Sequence, residues 1–585
     1  MRREWQSLSR MRASLRENSF ALLVRHFFHR FVAGESVSGE DDLRVGIGGI
    51  AVLLALPGAI LPILLLPKYS SFLRWLSGVR GFDFNTASIP DKYTFVTFTM
   101  VVAGIVAALK WDSMLPDRLD YANLTPLPIS TRRVFGAKLV ALLAFAGLFI
   151  VSLNGTSTLL FPFVVMSSQT SRGLWLRFVV AHAAATISGS AFMFFAFLAL
   201  AGLLMTILPR RSFRQVSTMV QFTAVILLVV LLFSTPEIGG LIGSGAGSGH
   251  ALVRWLPTVW FLGLYQALSS GRAGVNFDAL AIRAILGLSA AAGASLLFYI
   301  VSYRRFFLRI PEVAEVAANG RAKLRRVTEN CLDALGPRRP YERGCFRFVA
   351  KTLARSQRHT LALAGFAGIG AAIAIQDVAS RWDVVREPGR VPAASLLAAP
   401  AAIIFFLLTG LIFVFTVPAE LRANWVFLTI GERKCDAAQH VARRWMLVML
   451  APVVAVVAAV YSAAWGSTLG LEHAAFVFAT SLVLVELLVI GYRKIPFTCS
   501  FSSAKYNMGT VLAVYSLAFV FFSPGFASVE HWALSSSRSV AFFMLLALFA
   551  AAMGIRRYGS ESEFRERPLL FADEREPIVP SMELR

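Results

Sequence analysis

The sequence predicts an all-α polytopic membrane protein, with about twelve transmembrane helices arranged as two pseudo-repeated six-helix halves. Three observations lead there. Apolar residues make up 56% of the 585-residue chain and the mean hydropathy is +0.64, too apolar for a fold with a polar surface. Uninterrupted apolar runs long enough to cross a bilayer recur along the chain. Landmarks of the first half then return in the same order in the second. The formal charge of +23 would suggest nucleic acid in a soluble chain, but here basic residues flank apolar runs, where they set topology and meet headgroups. The expected partner is therefore the lipid bilayer, and nucleic acid is not expected.

In chain order, residues 1–44 read as a cytoplasmic N-terminus. Residues 1–18 are charged and lack the apolar core of a cleavable signal, so targeting falls to the first span. In SFALLVRHFFHRFVAG, Phe20, Leu23, Phe27 and Phe31 fall at helical spacing, which predicts a helix lying in the interface. The first six-span half, 45–302, holds spans at 45–67, 93–109, 135–155, 178–207, 214–233 and 279–301, the fourth long enough to require tilt. The Gly/Ser run from Gly243 to Gly249 is a flexible linker. Beyond it, Pro257 divides ALVRWLPTVWFLGLYQALSSG into two short helices. Leu256, Trp260, Leu262 and Leu264 give this segment an apolar side, and Trp255, Trp260 and Tyr265 are types that settle at headgroup depth. It is an interfacial anchor, a re-entrant pair lining an outer gate, or both.

Residues 303–343 mix charge, Gly and Pro, as a solvated linker does. The segment 344–557 opens with a second interfacial helix, RGCFRFVAKTLARSQR, with Phe346, Val349 and Leu353 on one side and Arg347, Lys351, Arg355 and Arg358 on another. Spans follow at 358–376, 394–417, 445–465, 473–492, 508–525 and 537–555, then a polar tail, 558–585.

Charge sets the orientation. With a cytoplasmic N-terminus, the even-numbered loops hold Arg132, Arg133, Arg210, Arg211, Arg214, Arg433, Lys434, Arg493 and Lys494. The central loop adds fourteen Lys or Arg between Arg304 and Arg358, whereas the loop near Glu472 has none. The positive-inside rule then places both termini in the cytoplasm of a bacterial-type inner membrane. The four cysteines, Cys331, Cys345, Cys435 and Cys499, fall on that side with no metal-ligand spacing, and read as ordinary thiols.

No phosphate-binding Gly-x-x-x-x-Gly-Lys-Ser/Thr loop, zinc-binding His pair or paired-Cys set occurs, so the chain carries no expected catalytic residue, cofactor or metal of its own. Within the spans, Glu486 is the clearest ionisable residue and a possible intramembrane polar site. Its distance of about two turns from Arg493 and Lys494 also lets it reach interfacial water. His182 is the weaker candidate and falls near the outer interface. Asp83 and Asp91, in the first outer loop, have no adjacent acidic partner and suit structural or solvated roles.

The most distinctive stretch is WDSMLPDRLDYANLTPLPISTRRVFGAK, Trp111 to Lys138, between spans two and three. Pro116 opens a short helix, and Asp117 and Asp120 suit its positive end. Pro126 and Pro128 force extended backbone on Thr125 and Leu127, so the helix stops near Leu124. Ser130 or Thr131 caps the next span. The stretch has an echo after span eight, where Pro418, Leu421, Thr429 and Arg443 fall near the places of Pro116, Leu119, Thr125 and Lys138. Spans five and eleven also end alike, in Phe233-Ser234-Thr235-Pro236 and Phe522-Ser523-Pro524.

Leu124-Thr125-Pro126-Leu127-Pro128-Ile129-Ser130 and Arg132-Arg133-Val134-Phe135-Gly136-Ala137-Lys138, set in a six-span layout with an interfacial helix in front, resemble the permease of a type-2 ABC exporter. The resemblance covers about thirty residues and implies two six-span halves fused in one chain. It also implies a coupling helix, Pro116 to Leu124, that docks into a cleft on a separate soluble ATPase carrying the ATP and magnesium. In that docking Leu119, Tyr121 and Leu124 would supply apolar contact and Asp117, Arg118 and Asp120 orientation, with Pro126 and Pro128 as the stop. Leu421, Arg422 and Trp425 are their counterparts in the second half, where Gly431 replaces the Pro-Leu-Pro turn. The exported substrate is not encoded legibly. The alternatives are a secondary transporter of the major facilitator type, whose glycine-bearing tight loop is missing here, and a membrane enzyme acting on lipid-linked substrates, for which Asp83 and Asp91 are thin equipment.

Overall fold

Helix is the only regular structure among the described residues, as expected where hydrocarbon leaves backbone N–H and C=O groups no partner but one another. The structure, a computed structural model, describes residues 20–32, 40–70, 87–114, 129–165, 172–208, 210–243, 251–269, 277–306, 333–379, 392–419, 425–430, 436–490, 492–498 and 508–561. In chain order we label the helices α1 (20–32), α2 (Glu40–Tyr69), α3 (Ile89–Leu109), α4 (Trp111–Met114), α5 (Thr131–Val165), α6 (Arg172–Ile207), α7 (Arg210–Phe233), α8 (Thr235–Gly243), α9 (Ala251–Trp255), α10 (Pro257–Ser269) and α11 (Phe277–Phe306). The second series is α12 (Pro340–Arg355), α13 (Gln357–Ala379), α14 (Ala394–Phe415), α15 (Trp425–Ile430), α16 (Asp436–Trp465), α17 (Ser467–Val489), α18 (Met508–Val520), α19 (Phe526–Ser536) and α20 (Arg538–Glu561).

Ten of these, α3, α5, α6, α7, α11, α13, α14, α16, α17 and α20, are long and apolar enough to cross a membrane. Of the other two expected spans, 45–67 lies within α2, whose Leu54–Tyr69 stretch is a shorter apolar helix. The span 508–525 lies in α18 and the π-helical turn Phe521–Gly525 after it. Ten, then, rather than twelve, is what the described residues establish.

Two helices start or end well outside the expected spans. α5 runs on past residue 155 because its polar residues bond to the helix itself: the Asn154 amide donates to the Ile150 carbonyl at 2.8 Å and the Ser157 hydroxyl to Asn154 at 3.0 Å. α16 begins nine residues before the expected 445, since Ala438, Val441, Ala442 and Trp445 form a buried side despite His440, Arg443 and Arg444 on the other.

The chain forms two compact units: Met1–Ala224 with Ser234–Ala317, and Val225–Phe233 with Ala318–Arg585. In the first, α2 packs along α5, α3 and α11 pack along α6, and α10 wedges among α3, α6 and α11. Its main core is aromatic, with Phe95, Phe161, Phe178, Phe261 and Tyr265. α1 buries Leu23, Phe27 and Phe31, three positions spaced by four, and meets the start of α5, where Phe31 stacks on Phe145 and the Lys138 ammonium lies over the Phe27 ring.

In the second unit, α13 pairs with α14, α16 with α17, and α17 with α20. α12 repeats what α1 does. Phe346 is buried and stacks on Trp445 of α16 at 4.7 Å, and the Trp445 indole N–H donates to the Phe346 carbonyl. Gly466, at φ +92°, makes the turn between α16 and α17. Four residues on, Gly470 lets the two helices touch, for a Cβ there would fall 2.3 Å from the Ser462 amide nitrogen.

The ends of the fifth spans also correspond. A turn at Ser234 separates α7 from α8, and the π turn at Pro524 separates α18 from α19. The Ser523 hydroxyl ties that turn to the Ala398 carbonyl at 3.1 Å.

Candidate functional site

Both units bury a polar cluster at the end opposite the amphipathic helix. In the first unit it gathers α2, α3, α5, α6 and α10. His182, wholly buried on α6, has Nδ1 at 3.1 Å from the Tyr265 hydroxyl of α10 and Nε2 at 3.3 Å from the Ser157 hydroxyl of α5. Its ring meets Phe95 and Phe161 edge-on or tilted. Next to it lies Lys92, also wholly buried, whose ammonium donates to the Gln266 side-chain oxygen at 3.0 Å and lies over the rings of Phe178 and Tyr265 at 4.7 and 5.2 Å. A cation inside apolar helices is costly unless hydrogen-bonded, and aromatic faces recover part of that cost. One residue earlier Asp91 accepts from Lys68 at 2.7 Å and from the Tyr69 hydroxyl. This fixes Asp91 as a tie between α2 and α3. Burial holds the Tyr265 phenol well above its ordinary range, so it stays protonated and available to bond to His182.

The second unit builds its cluster from α14, α16, α17 and α19. His473, wholly buried on α17, has Nδ1 at 2.7 Å from a Glu530 carboxylate oxygen on α19, with its ring against Tyr461 and Trp465. Its Nε2 finds no hydrogen-bond partner among the described residues. The Tyr461 hydroxyl donates to the Leu396 carbonyl of α14, and His531 bonds to the Pro392 carbonyl. Burial pushes the Glu530 carboxyl up, and the contact with His473 pulls against it.

The two clusters share a plan. A buried histidine on the fourth span of each unit bonds to a short helix that lies between the fifth span and the sixth. Hydropathy could not reveal it, because Tyr265 and Glu530 lie 83 and 57 residues from their histidines. Residue type alone gave no sign that Tyr265 and His182 are buried against each other. Trp255, by contrast, is 73% exposed, as an anchor would be.

At the other end, Glu486 of α17 is buried and paired. Its Oε2 accepts from Nε and Nη2 of Arg443, on α16, at 3.1 and 2.8 Å. Arg443 is the residue that the sequence repeat sets against Lys138 of the first half. Of the expected coupling residues, Pro116, Asp117, Arg118, Leu119, Asp120, Tyr121, Leu124, Pro126 and Pro128 lie outside the described residues, as do Leu421 and Arg422; Trp425 opens α15.

The structure does describe the bases of both loops. Before the first, Trp111 and Met114 are fully buried, with Trp111 edge-on to Phe197. Before the second, Val417 accepts from His359 Nε2 at 2.9 Å, and the Ala419 amide donates to the Phe497 carbonyl at 3.0 Å. Phe497 holds φ +69°, rare for a bulky residue, while its ring packs against Phe348, His359 and Phe415. It fastens α12, α13 and the end of α14 to one another.

Among the described residues no group of His, Cys, Asp and Glu could hold a metal. No protein-family model, curated protein or solved structure matches the chain. What the helices themselves establish is a multi-pass, transporter-like membrane protein.

Proposed function

We propose that this chain is the transmembrane permease of an ATP-driven ABC exporter. It couples a separate soluble ATPase to substrate movement through the loop between spans two and three. The observation that carries the reading is the plan common to both units. An amphipathic helix is clamped on the start of the third span, at the end where Met114 and Ala419 close the described stretches before 115–128 and 420–424. A histidine-tied short helix sits at the far end.

That plan suits a lever. A stiff helix displayed on the membrane surface enters a groove on a partner at low ordering cost. Closure of the partner around ATP would drag the loop and, with it, α3 and α5 as rigid rods. The far end of α3 carries Asp91 and Lys92, and the far end of α5 carries Ser157, so the motion reaches the cluster that holds α10 through Tyr265 and Gln266. Cargo would pass as these outer helices part. Both termini face the cytoplasm of a bacterial-type inner membrane in this scheme, and ATP and magnesium belong to the partner.

The test is copurification from native membranes followed by transport measurements. A soluble ATPase should accompany the chain, Leu119→Asp should abolish transport, and Leu421→Asp should weaken it less, since the second loop lacks the Pro-Leu-Pro stop. Absence of any ATPase, with undiminished transport by Leu119→Asp, would sink the reading.

A further inference from the structure

α19 is a short helix with a thin buried face. Ala527, Glu530 and Ala533, spaced by three along one side, are its buried residues, while Val529 and Trp532 are exposed. Ala527 packs near Leu397 and Ala398 of α14, and Ala533 near Phe476 of α17. Two methyl groups bury little apolar area, so the bond from Glu530 to His473 is the main tie between α19 and α17. Its other end is placed by Gly470, three residues before His473, which lets α16 and α17 touch. That contact sets the rings of Tyr461 and Trp465 at 4.7 and 5.9 Å from the imidazole. The first unit is tied otherwise: His182 bonds to two hydroxyls, and α10 buries Phe261 and Leu262 besides Tyr265.

Counting protons gives this tie a second property. When the pair holds one proton more than imidazole and carboxylate, it is neutral, as imidazolium with carboxylate or as imidazole with carboxylic acid. In both forms Nε2 carries a hydrogen. Without that proton, Nδ1–H still donates to the carboxylate, but Nε2 is bare and the site holds a net negative charge. Such a charge away from water is costly, and the carboxylate regains water only if α19 lifts from α17. Nε2, which has no partner among the described residues, is the atom at which the proton arrives from water and returns to it. The aromatic rings beside it favour the imidazolium form. We propose that His473 and Glu530 form a proton-binding site, and that the bound proton fastens α19 to α17. Burial, which pushes the Glu530 carboxyl up, acts in the same sense: the closed state holds the proton more firmly than the opened one and is lost as pH rises.

Other titratable groups at this end are few. α14 and the π turn have none. On α16 the Tyr461 hydroxyl donates to the Leu396 carbonyl, with Asp377 of α13 within electrostatic reach of it. Glu472 of α17 lies 4.0 Å from Arg538 of α20, and His531 of α19 bonds to the Pro392 carbonyl. The site needs no ATPase, so it stands or falls apart from the coupling loop.

Hydrogen exchange of the full chain in detergent, with the intrinsic rate divided out at each pH, tests this. Protection of the α19 amides should hold near about pH 6 and fall toward about pH 9, by up to about tenfold per pH unit once the proton is lost. Glu530→Gln keeps an accepting oxygen but cannot ionise, so α19 protection should turn flat with pH, whatever its level. His473→Gln should flatten it likewise. His531→Gln, one residue from Glu530, should keep the wild-type slope. Flat protection in the wild type, or an unchanged slope in Glu530→Gln, overturns the proposal. A slope that vanishes in His531→Gln and survives in His473→Gln puts the proton on the other histidine, and overturns it too.

Discussion

At the scale of single residues, Glu486 shows both the reach and the limit of sequence reading. A carboxylate inside an apolar run is conspicuous, so its importance was legible; its partner Arg443, 43 residues earlier, was not, because only packing of α16 on α17 brings them together. A pair this buried punishes the loss of one member more than the loss of both. Arg443→Leu should therefore cost about 3 kcal/mol, read as a lower melting midpoint in detergent, while Arg443→Leu/Glu486→Leu should recover most of it. Equal losses would mean the charges are solvated. Cys345 offers a second check. Burial beside Phe346 and Val349 pushes its thiol up to about 11, so near neutral pH little of it is the reactive thiolate. In a variant retaining Cys345 alone, maleimide should label slowly in the folded protein, faster as pH rises toward that value, and at once in denaturant. Rapid labelling of the folded form near neutral pH would place the thiol in water. Lys92 and His182 teach the complementary lesson: one in the first turn of a span and the other flanked by small residues, they offered no pattern that distinguished a core network from an interface.

Helices were legible where one face decides them. Phe20, Leu23, Phe27 and Phe31, and again Phe346, Val349 and Leu353, predicted amphipathic helices; both are present, with Leu23, Phe27, Phe31, Phe346 and Val349 buried, Leu353 half-buried and Phe20 exposed. Boundaries were less legible, because hydropathy stops at polar residues that a helix can still accommodate, as Asn154 and Ser157 do on α5. Close helix contact was not legible either, for a glycine in an apolar run looks the same whether it faces lipid or a neighbour. Gly470 and Gly147 separate the cases. A methyl at Gly470 would collide with the backbone of Ser462, which cannot rotate away, whereas nothing lies within 4 Å of one at Gly147. Gly470→Ala should destabilise by about 2 kcal/mol and speed hydrogen exchange at the α16–α17 turn. Gly147→Ala should be neutral or slightly stabilising through helix propensity. Similar behaviour of the two would show that α16 and α17 are not in close contact at that turn.

For the whole molecule the deciding property is which face meets the cytoplasm, since a cytoplasmic ATPase can grip only a loop on its own side. The basic residues of the central loop and of the loops after even-numbered spans predict that face from charge alone, and the amphipathic helices α1 and α12 lie at the same ends of their units as those loops. Single cysteines in a cysteine-free background can read it. Gly344, on α12, has nothing within 4 Å of a built Cβ, and Ser535, on α19, is exposed at the opposite end of its unit, so both substitutions should fold. A membrane-impermeant maleimide applied to intact cells should label Ser535→Cys and spare Gly344→Cys until the membrane is opened. The reverse pattern would put the Pro-rich loop outside the cell, where no ATP-driven partner could move it. The proposed lever from loop to buried histidine would then have no motor, and an ion-driven or passive mechanism would have to take its place.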